Sequence, residues 1–243
     1  MVDDIVNDMS LQSFDPGGVA IVIGATGGIG AALLEALTDA QHFSKCIGLG
    51  QDEIGSFEDL DSLRIEKAVR SATAEGEIRL AIDATGFLSD ESQGPEKSWR
   101  DLDPSHLARY FAINAIGPAI LMKYLLPSFP RTGKSMFASL SARVGSIDDN
   151  RLGGWYGYRA SKTALNQIVR TASIELARRA PEAVCVALHP GTVATPLSAP
   201  FAGTHRTLHT PSRAAFDILN VADQLNARST GGFFDWRLDK IPW

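Results

Sequence analysis

Tyr158 and Lys162, in the run Tyr-Arg-Ala-Ser-Lys, are the residues whose types and spacing could carry acid–base chemistry. On a helix, side chains four residues apart project from one face, and the composition from about residue 158 to 179 predicts a helix. A nearby ammonium favours the phenolate of a tyrosine, which otherwise titrates near pKa ~10. The pair could therefore act as a general acid or base near neutral pH. The same spacing is common on ordinary helix surfaces, so other parts of the chain must support this interpretation.

A glycine-rich turn follows the apolar run Val19–Ile23 and precedes a segment of good helix formers that ends at Ala40. This order predicts a buried strand, a turn and a helix. Backbone N–H groups at such a helix N-terminus can approach an anionic pyrophosphate closely, and the helix dipole favours its charge. A tight turn without a ligand is the alternative. The predicted cofactor contacts of this turn are Gly24, Thr26, Gly27, Gly28, Ile29 and Gly30.

The second predicted strand, Lys45–Gly50, ends where a dinucleotide-binding fold reads the adenosine ribose. Gln51, Asp52 and Glu53 follow, and the glycine turn has no basic residue. An acid at this point bonds the ribose hydroxyls of NAD, whereas an arginine favours the additional phosphate of NADP. The acids favour NAD slightly, although they could equally be solvated turn residues. We therefore predict that Gln51 contacts the cofactor and leave its identity as NAD or NADP.

Strands and helices alternate along the rest of the chain, which predicts a doubly wound parallel sheet in a single-domain Rossmann fold of the α/β class. We expect a flexible lead-in over residues 1–17, a Rossmann domain over 18–243 and a substrate lid at about 192–211, which is rich in Thr, Pro, Ser and His. The further predicted strands are 80–86, 135–141, 182–189 and 231–236. Residues 59–76 are predicted to form a short acidic turn and then an amphipathic helix, and the other predicted helices are 104–129, 158–179 and 211–226.

Composition limits the classes of protein to consider. The chain has 243 residues, 44% hydrophobic and 21% charged, with a formal net charge of -5, as in an ordinary globular protein. This charge argues against a nucleic-acid partner and disfavours a membrane surface. The acidic N-terminus resembles neither a secretory signal nor a transit peptide. We expect a cytoplasmic protein in which Cys46 and Cys185 are buried thiols.

Four separated motifs, taken together, resemble the short-chain dehydrogenase/reductase family over nearly the whole chain. The glycine turn resembles its cofactor loop, and Asp83-Ala-Thr-Gly86 resembles its Asn-Asn-Ala-Gly turn. Asn114 matches a helix asparagine, and Tyr158 with Lys162 matches the active site. The segment from His189 to Thr195 is similar to the one that contacts the nicotinamide. The lead-in to Tyr158 and the Phe-Phe-Asp-Trp ending are most similar to the C-factor-like subgroup, which is named after a bacterial signalling protein.

The resemblance implies an NAD(P)-dependent oxidoreductase that acts on a small carbonyl or alcohol. In this reading Lys162 holds the nicotinamide ribose and lowers the pKa of Tyr158, and Tyr158 exchanges the proton with the substrate oxygen. A serine orients that oxygen, and Asn114 holds a water in a proton relay from Lys162. The resemblance also implies a homodimer or homotetramer that pairs through the Asn114 and Tyr158 helices. Its further cofactor-binding residues are Asp59, Ala84, Thr85, Gly86, Lys162, Pro190, Gly191, Val193 and Thr195.

The serine position departs from the family pattern Ser-Ser-x-x-Gly, in which the working serine precedes glycine by three residues. Here the sequence reads Ser139-Leu-Ser-Ala-Arg-Val-Gly145, so that position is Ala142. We expect that the loop is shifted by one residue, so that Ser141 serves as the catalytic serine. The alternative is that the hydroxyl that orients the substrate is missing. Asn114 has an alternative reading as a satisfied polar residue of the core.

Other functional classes are less well supported. The Gly-x-Ser-x-Gly turn of a hydrolase is absent from the sequence. His205 and His209 have a spacing that could bind a metal, but no acidic or cysteine partner flanks them, so we expect lid residues and no metal site. Apolar residues such as Leu197 and Phe201 indicate a partly apolar substrate pocket. The alternative function is that of a nucleotide-binding signalling or partner-binding protein with little or no turnover.

Overall fold

The computed structural model describes residues 11–59, 61–90, 94–199 and 208–243, and in this part of the chain six strands form one parallel sheet. The strands are β1 Val19–Ile23, β2 Lys45–Leu49, β3 Ile78–Asp83, β4 Met136–Leu140, β5 Val184–His189 and β6 Phe233–Asp235. Their order in the sheet is β2-β1-β3-β4-β5-β6. Every residue of β1 and β4 is buried, as expected of strands covered on both faces.

Helices cover both faces of this sheet. They are α1 Gly28–Ala40, α2 Gln51–Ile54, α3 Ser62–Thr73, α4 Pro104–Phe111, α5 Gly117–Leu125, α6 Tyr156–Arg179 and α7 Pro211–Gln224. Side chains of α3, α5 and α6 form the core on one face, and those of α1 and α7 form the core on the other. The predicted doubly wound, single-domain Rossmann architecture is confirmed.

Residues 11–17 of the predicted flexible lead-in pack against the domain. Leu11 and Phe14 have 2% and 1% of their surface exposed and belong to the core on the α1 and α7 side. The Ser13 hydroxyl donates to the Asp223 carboxylate at 2.6 Å, and the Lys134 ammonium lies 4.2 Å from the centre of the Phe14 ring. Apolar burial and these polar contacts fix residues 11–17 on the domain, while residues 1–10 lie outside the described range.

β2 is the edge strand of the sheet, and this determines where the predicted cofactor residue Asp59 lies. A Rossmann sheet commonly carries a further strand outside the second one. In the described residues of this chain, the segment between β2 and β3 contains only α2 and α3, so β2 is the edge strand. Asp59 consequently lies exposed in a turn, where its N–H donates to the Ser56 carbonyl, instead of at the end of a strand.

The helical run Pro104–Ser128 joins α4, a π turn at Ala112–Ile116, α5 and a final 3₁₀ turn. By length and composition it is the one described helix that could cross a membrane, and 44% of its most apolar window is buried inside the protein. Leu121 and Leu125 are fully buried in the core that α5 forms with α3 and α6. Core packing explains its apolar composition.

The lid is described at residues 192–199 and 208–211. An isolated bridge pairs Val193 with His209, and the His209 ring lies edge-on to Trp236 with a centroid distance of 4.4 Å. Pro200, Phe201 and His205 lie outside the described residues, so the apolar contribution of Phe201 and the metal pair of His205 with His209 stay predictions.

Candidate active site

Tyr158 lies in the first turn of α6, where it borders a cavity of about 440 Å³. The helix begins at Tyr156, and the N–H of Gly157 donates to the buried Glu96 carboxylate at 3.1 Å, which fixes this end of the helix. The ring of Tyr158 is 8% exposed and lies edge-on to Trp155 and Tyr110. Only a small part of the phenol is therefore accessible, and that part faces the cavity.

Burial determines the acidity of Tyr158. Loss of hydration raises the pKa of the phenol above its usual range, and the neighbouring Tyr110 raises it further. The sequence resemblance implied a pKa lowered by Lys162, and the structure shows the opposite direction. At neutral pH the phenol is therefore protonated, which is the form that can donate a proton.

Lys162 lies one turn after Tyr158 on the same face of α6, and both residues line a second cavity of about 470 Å³. The side chain is 3% exposed, and its ammonium donates to the Leu140 carbonyl at 2.9 Å. Burial lowers the pKa of Lys162 to about 8, although the nearby Asp83 carboxylate opposes this shift. The cation is thus directed toward the carboxyl ends of β3 and β4.

The two candidate serines have different surroundings. Ser141 follows β4 and lines both cavities together with Tyr158, and its hydroxyl donates to Asn166 at 2.8 Å. Ser139 is 1% exposed within β4, and its hydroxyl donates to the Asp83 carboxylate at 2.7 Å. The hydroxyl beside Tyr158 is therefore that of Ser141.

Asn166 is a site residue that the sequence interpretation missed. Its amide N–H donates to the Gly145 carbonyl at 3.3 Å, which leaves its oxygen to accept the Ser141 hydroxyl. Asn166 lies four residues after Lys162, so the helical spacing placed it on the face of Tyr158 and Lys162. That spacing was the available signal.

Asn114 lies in the π turn and is fully buried. Its amide oxygen accepts the N–H of Phe87 at 2.8 Å, and its amide nitrogen donates to the Phe87 carbonyl at 2.9 Å and to Ser161 at 3.1 Å. Both amide N–H groups are therefore used to join the turn after β3 to α6. Pro118 has no N–H for the Asn114 carbonyl, which disfavours a regular α-helical turn here.

The glycine turn between β1 and α1 is shaped by close backbone approaches. Gly24 has a φ of +77°, in the left-handed region, and a Cβ on Gly30 would lie 2.1 Å from the Gly24 carbonyl oxygen. A Cβ on Gly28 would lie 2.9 Å from the methyl group of Thr195, so this glycine keeps open the passage between the turn and the lid. The chain thus forms a cradle without side chains at the N-terminus of α1, and this cradle fits a pyrophosphate.

Most of the predicted cofactor residues meet in the 470 Å³ cavity at the carboxyl ends of the strands. Gly24 and Gly30 shape its glycine turn, and Gly191 and Val193 border the neighbouring 440 Å³ cavity. The predicted residues that line the 470 Å³ cavity are Thr26, Gly27, Gly28, Ile29, Ala84, Thr85, Gly86, Lys162, Pro190 and Thr195.

Gln51 and Asp59 are both exposed and lie outside the lining of this cavity. The Glu53 carboxylate accepts the Gly50 N–H at 2.7 Å and so caps α2. Arg64 of α3 donates to the backbone carbonyls of Gln51, Asp52 and Glu53. A cation therefore stands at the end of β2, and the sequence interpretation missed it because Arg64 is distant along the chain.

The 440 Å³ cavity extends from Tyr158 and Ser141 toward the lid. Its walls are largely apolar, with Leu88, Trp155 and Leu197 among them. His189 also borders it, and burial lowers the pKa of this imidazole to about 4, so it is neutral at physiological pH. This cavity suits the apolar part of a small substrate held beside the phenol.

The described residues contain no group of three or more metal-ligating side chains. His209 instead contacts the ring of Trp236 and lies 3.8 Å from the Asp217 carboxylate.

Comparisons with known proteins identify the family of the chain. The family model described as enoyl-(acyl carrier protein) reductase matches residues 59–220. The chain is 39% identical over 143 residues to the C-signal of Myxococcus xanthus, a match that covers 59% of this chain and 82% of that protein. It is 35% identical over 133 residues to a 1-hydroxy-2-glutathionyl-2-methyl-3-butene dehydrogenase of Rhodococcus, covering 54% of this chain and 56% of that protein.

Among solved structures, an NADPH-bound carbonyl reductase from chicken fatty liver superimposes with a TM-score of 0.76 at 20% identity, covering 96% of this chain and 97% of that one. At this identity the likeness concerns the fold, and the family model carries the assignment. The protein belongs to the short-chain dehydrogenase/reductase family of NAD(P)-dependent oxidoreductases.

Proposed function

We propose that the protein transfers hydride between NAD(P) and a small carbonyl or alcohol, with Tyr158 as the general acid and base. The observation that carries this proposal is the meeting of the Tyr158 phenol and the Ser141 hydroxyl in one largely apolar cavity, next to the glycine cradle. These are the donors that a carbonyl oxygen requires as it gains negative charge.

Bound NAD(P)H supplies the hydride. The protonated phenol of Tyr158 donates its proton to the carbonyl oxygen of the substrate, and it recovers a proton after product release. The Ser141 hydroxyl turns from Asn166 toward the same oxygen and orients it. Lys162 lines the 470 Å³ cavity together with Tyr158. Its positive charge stabilises the phenolate that Tyr158 becomes after the proton transfer. Asn114 fixes the turn after β3 on which the cavity wall depends.

The test is titration of the purified protein with NADH and NADPH by fluorescence, followed by their oxidation with a panel of small aldehydes and ketones. We expect binding and turnover, and we expect Tyr158→Phe to lose about 10²–10⁴-fold in kcat/KM while its cofactor Kd stays close to that of the parent. Equal turnover in Tyr158→Phe would contradict the assigned role.

The resemblance to the C-signal gives the alternative function a specific basis. A nucleotide-binding signalling protein would bind NADH or NADPH and turn over none of the carbonyls. Both cofactors are compared because the end of β2 carries an acid and a cation: Glu53 caps α2, and Arg64 contacts the α2 carbonyls. An acid suits the ribose hydroxyls of NAD, and an arginine suits the ribose phosphate of NADP. The preferred cofactor is the one with the lower Kd.

We also infer that two copies pair across α5 and α6. These helices border a groove of about 590 Å³ lined by Met122, Leu126, Ile168 and Leu176, with Lys123, Glu175 and Arg179 at its rim. An apolar centre with a charged rim is typical of a protein interface. Light scattering at several concentrations tests this pairing, and Ile168→Glu is expected to shift the mass to that of a monomer.

A further inference from the structure

Asp83 is a buried carboxylate that the proposed chemistry does not use. It ends β3 and is fully buried, and it stands where the family's Asn-Asn-Ala-Gly turn begins with a neutral asparagine. A carboxylate in a sheet interior is costly unless donors and an opposite charge compensate it. The donors and the cation around Asp83 therefore indicate its role.

Three donors contact the Asp83 carboxylate. One oxygen accepts the Thr85 N–H at 3.0 Å and the Thr85 hydroxyl at 2.5 Å, and the other accepts the Ser139 hydroxyl at 2.7 Å. This donor set fits an ionised carboxylate, which is an acceptor only. Burial raises the pKa of Asp83 above its usual value, and these three hydrogen bonds and the charge of Lys162 offset only part of this rise.

Lys162 is the matching cation. It is the one described lysine or arginine that is buried to this degree, with 3% of its surface exposed. Its ammonium donates to the carbonyl of Leu140, and the preceding residue on β4, Ser139, donates to Asp83. The strand register pairs Asp83 with Ser139, so β4 brings both charges to the same end of the sheet.

The other groups around Lys162 do not replace Asp83. On α6 itself the titratable neighbour is Tyr158, whose phenol is protonated at neutral pH. Packed against the helix, β4 and the π turn present the neutral Leu140 carbonyl and Asn114. Gly145 packs on the base of the Lys162 side chain, and Arg143 in the same turn is paired with Asp149 and Asp235.

We propose that Asp83 is a positioning residue for the active site, whose buried carboxylate balances the charge of the Lys162 ammonium and holds it at the cofactor cavity. This inference rests on the proposed function only for its effect on turnover. The electrostatic coupling of the two buried charges is a property of the folded chain and can be measured without a substrate.

The experiment compares the parent with Asp83→Asn, which preserves shape and removes one negative charge. The titration of Lys162 is followed by NMR of lysine labelled with ¹³C at Cε and assigned with Lys162→Met. Loss of the carboxylate is expected to lower the pKa of Lys162 from about 8 by about 1 to 3 units. In a pH profile, the rate of cofactor oxidation by Asp83→Asn is then expected to fall at a correspondingly lower alkaline pH than that of the parent.

Asp223→Asn is the matched control. It changes the net charge equally, and Asp223 lies beside Ser13 and Lys134, away from the active site. An unchanged Lys162 pKa in Asp83→Asn, or an equal shift in Asp223→Asn, would overturn the inference. Absence of turnover in the parent would count against the proposed function and leave the NMR result intact.

A double-mutant cycle keeps the inference testable if Asp83→Asn folds poorly. Lys162→Met leaves the Asp83 carboxylate without its counter-charge, so its folded-state pKa, which burial already raises, rises further above the unfolded value. The urea midpoint of this variant is expected to be low at pH 8 and to recover as the pH falls through that raised pKa. Asp83→Asn with Lys162→Met is expected to restore the midpoint at pH 8, and a double variant no more stable than Lys162→Met alone would contradict the electrostatic coupling of Asp83 with Lys162.

Discussion

At the scale of single residues, the site depends on which polar group each hydroxyl contacts. Ser139 lies on β4 and Ser141 directly follows it, yet Ser139 contacts Asp83 within the sheet and Ser141 borders the 440 Å³ cavity. Tyr158 and Lys162 occupy one helix face, and burial shifts their pKa values in opposite directions, up for the phenol and down for the ammonium. Both shifts favour the uncharged form, because transfer from water penalises charge.

The two serines give a prediction at this scale. Ser141→Ala removes a donor to the developing oxyanion and is expected to lower kcat/KM about 100-fold. Ser139→Ala removes one donor from a buried carboxylate and is expected to cost about 1–3 kcal/mol in the free energy of unfolding. Steady-state kinetics and urea denaturation of both variants measure these effects. A larger kinetic loss in Ser139→Ala than in Ser141→Ala would reverse the assignment.

At the scale of elements, the junction of β1 and α1 and the first turn of α6 carry the site. The glycine turn brings the N-terminus of α1 to the cofactor cavity, and the Glu96 carboxylate fixes the start of α6. Packing positions both elements, because Asn114 joins the turn after β3 to Ser161 of α6. The cavity wall and the catalytic helix therefore hold each other in place.

Gly30→Ala tests the glycine turn. Its Cβ would lie 2.1 Å from the Gly24 carbonyl oxygen, a distance that requires the turn to open. We expect a loss of NAD(P)H affinity of at least about tenfold, which is the effect of ~1.4 kcal/mol. Gly94→Ala is the control, because a Cβ there meets no atom within 4 Å. Equal cofactor affinity in both variants would mean that the turn does not bind the cofactor.

At the scale of the whole molecule, a parallel sheet with helices on both faces separates two cores and places the site at the carboxyl ends of the strands. This location is general for open α/β sheets. The segment before β1 closes one core, since Phe14 packs edge-on to Phe43 at a centroid distance of 5.9 Å.

Phe14→Ala tests whether this segment belongs to the fold. Truncation of a fully buried phenylalanine is expected to lower the free energy of unfolding by about 3–5 kcal/mol. Leu63→Ala is the control, since Leu63 is 75% exposed and exposed positions change stability by only about 0.5 kcal/mol. Urea denaturation measures both variants, and equal midpoints would show that residues 11–17 do not contribute to the core.

The sequence by itself determined the features that are local or periodic. Apolar runs, the glycine turn and the helical spacing of Tyr158 and Lys162 predicted the strands, the cradle and the shared face, because each depends on residues within a few positions of one another. The α/β alternation then predicted the sheet, and the joint match of separated motifs predicted the family.

Only the tertiary structure decided the long-range contacts. Ser139 meets Asp83 across 56 residues, and Ser141 meets Asn166 across 25, so neither partnership follows from local spacing. The same holds for the burial of Leu11 and Phe14 and for the contact of Arg64 with the end of β2. The direction of the Tyr158 pKa shift was also decided by the fold, because burial by the surrounding elements and the neighbouring Tyr110 raise this pKa.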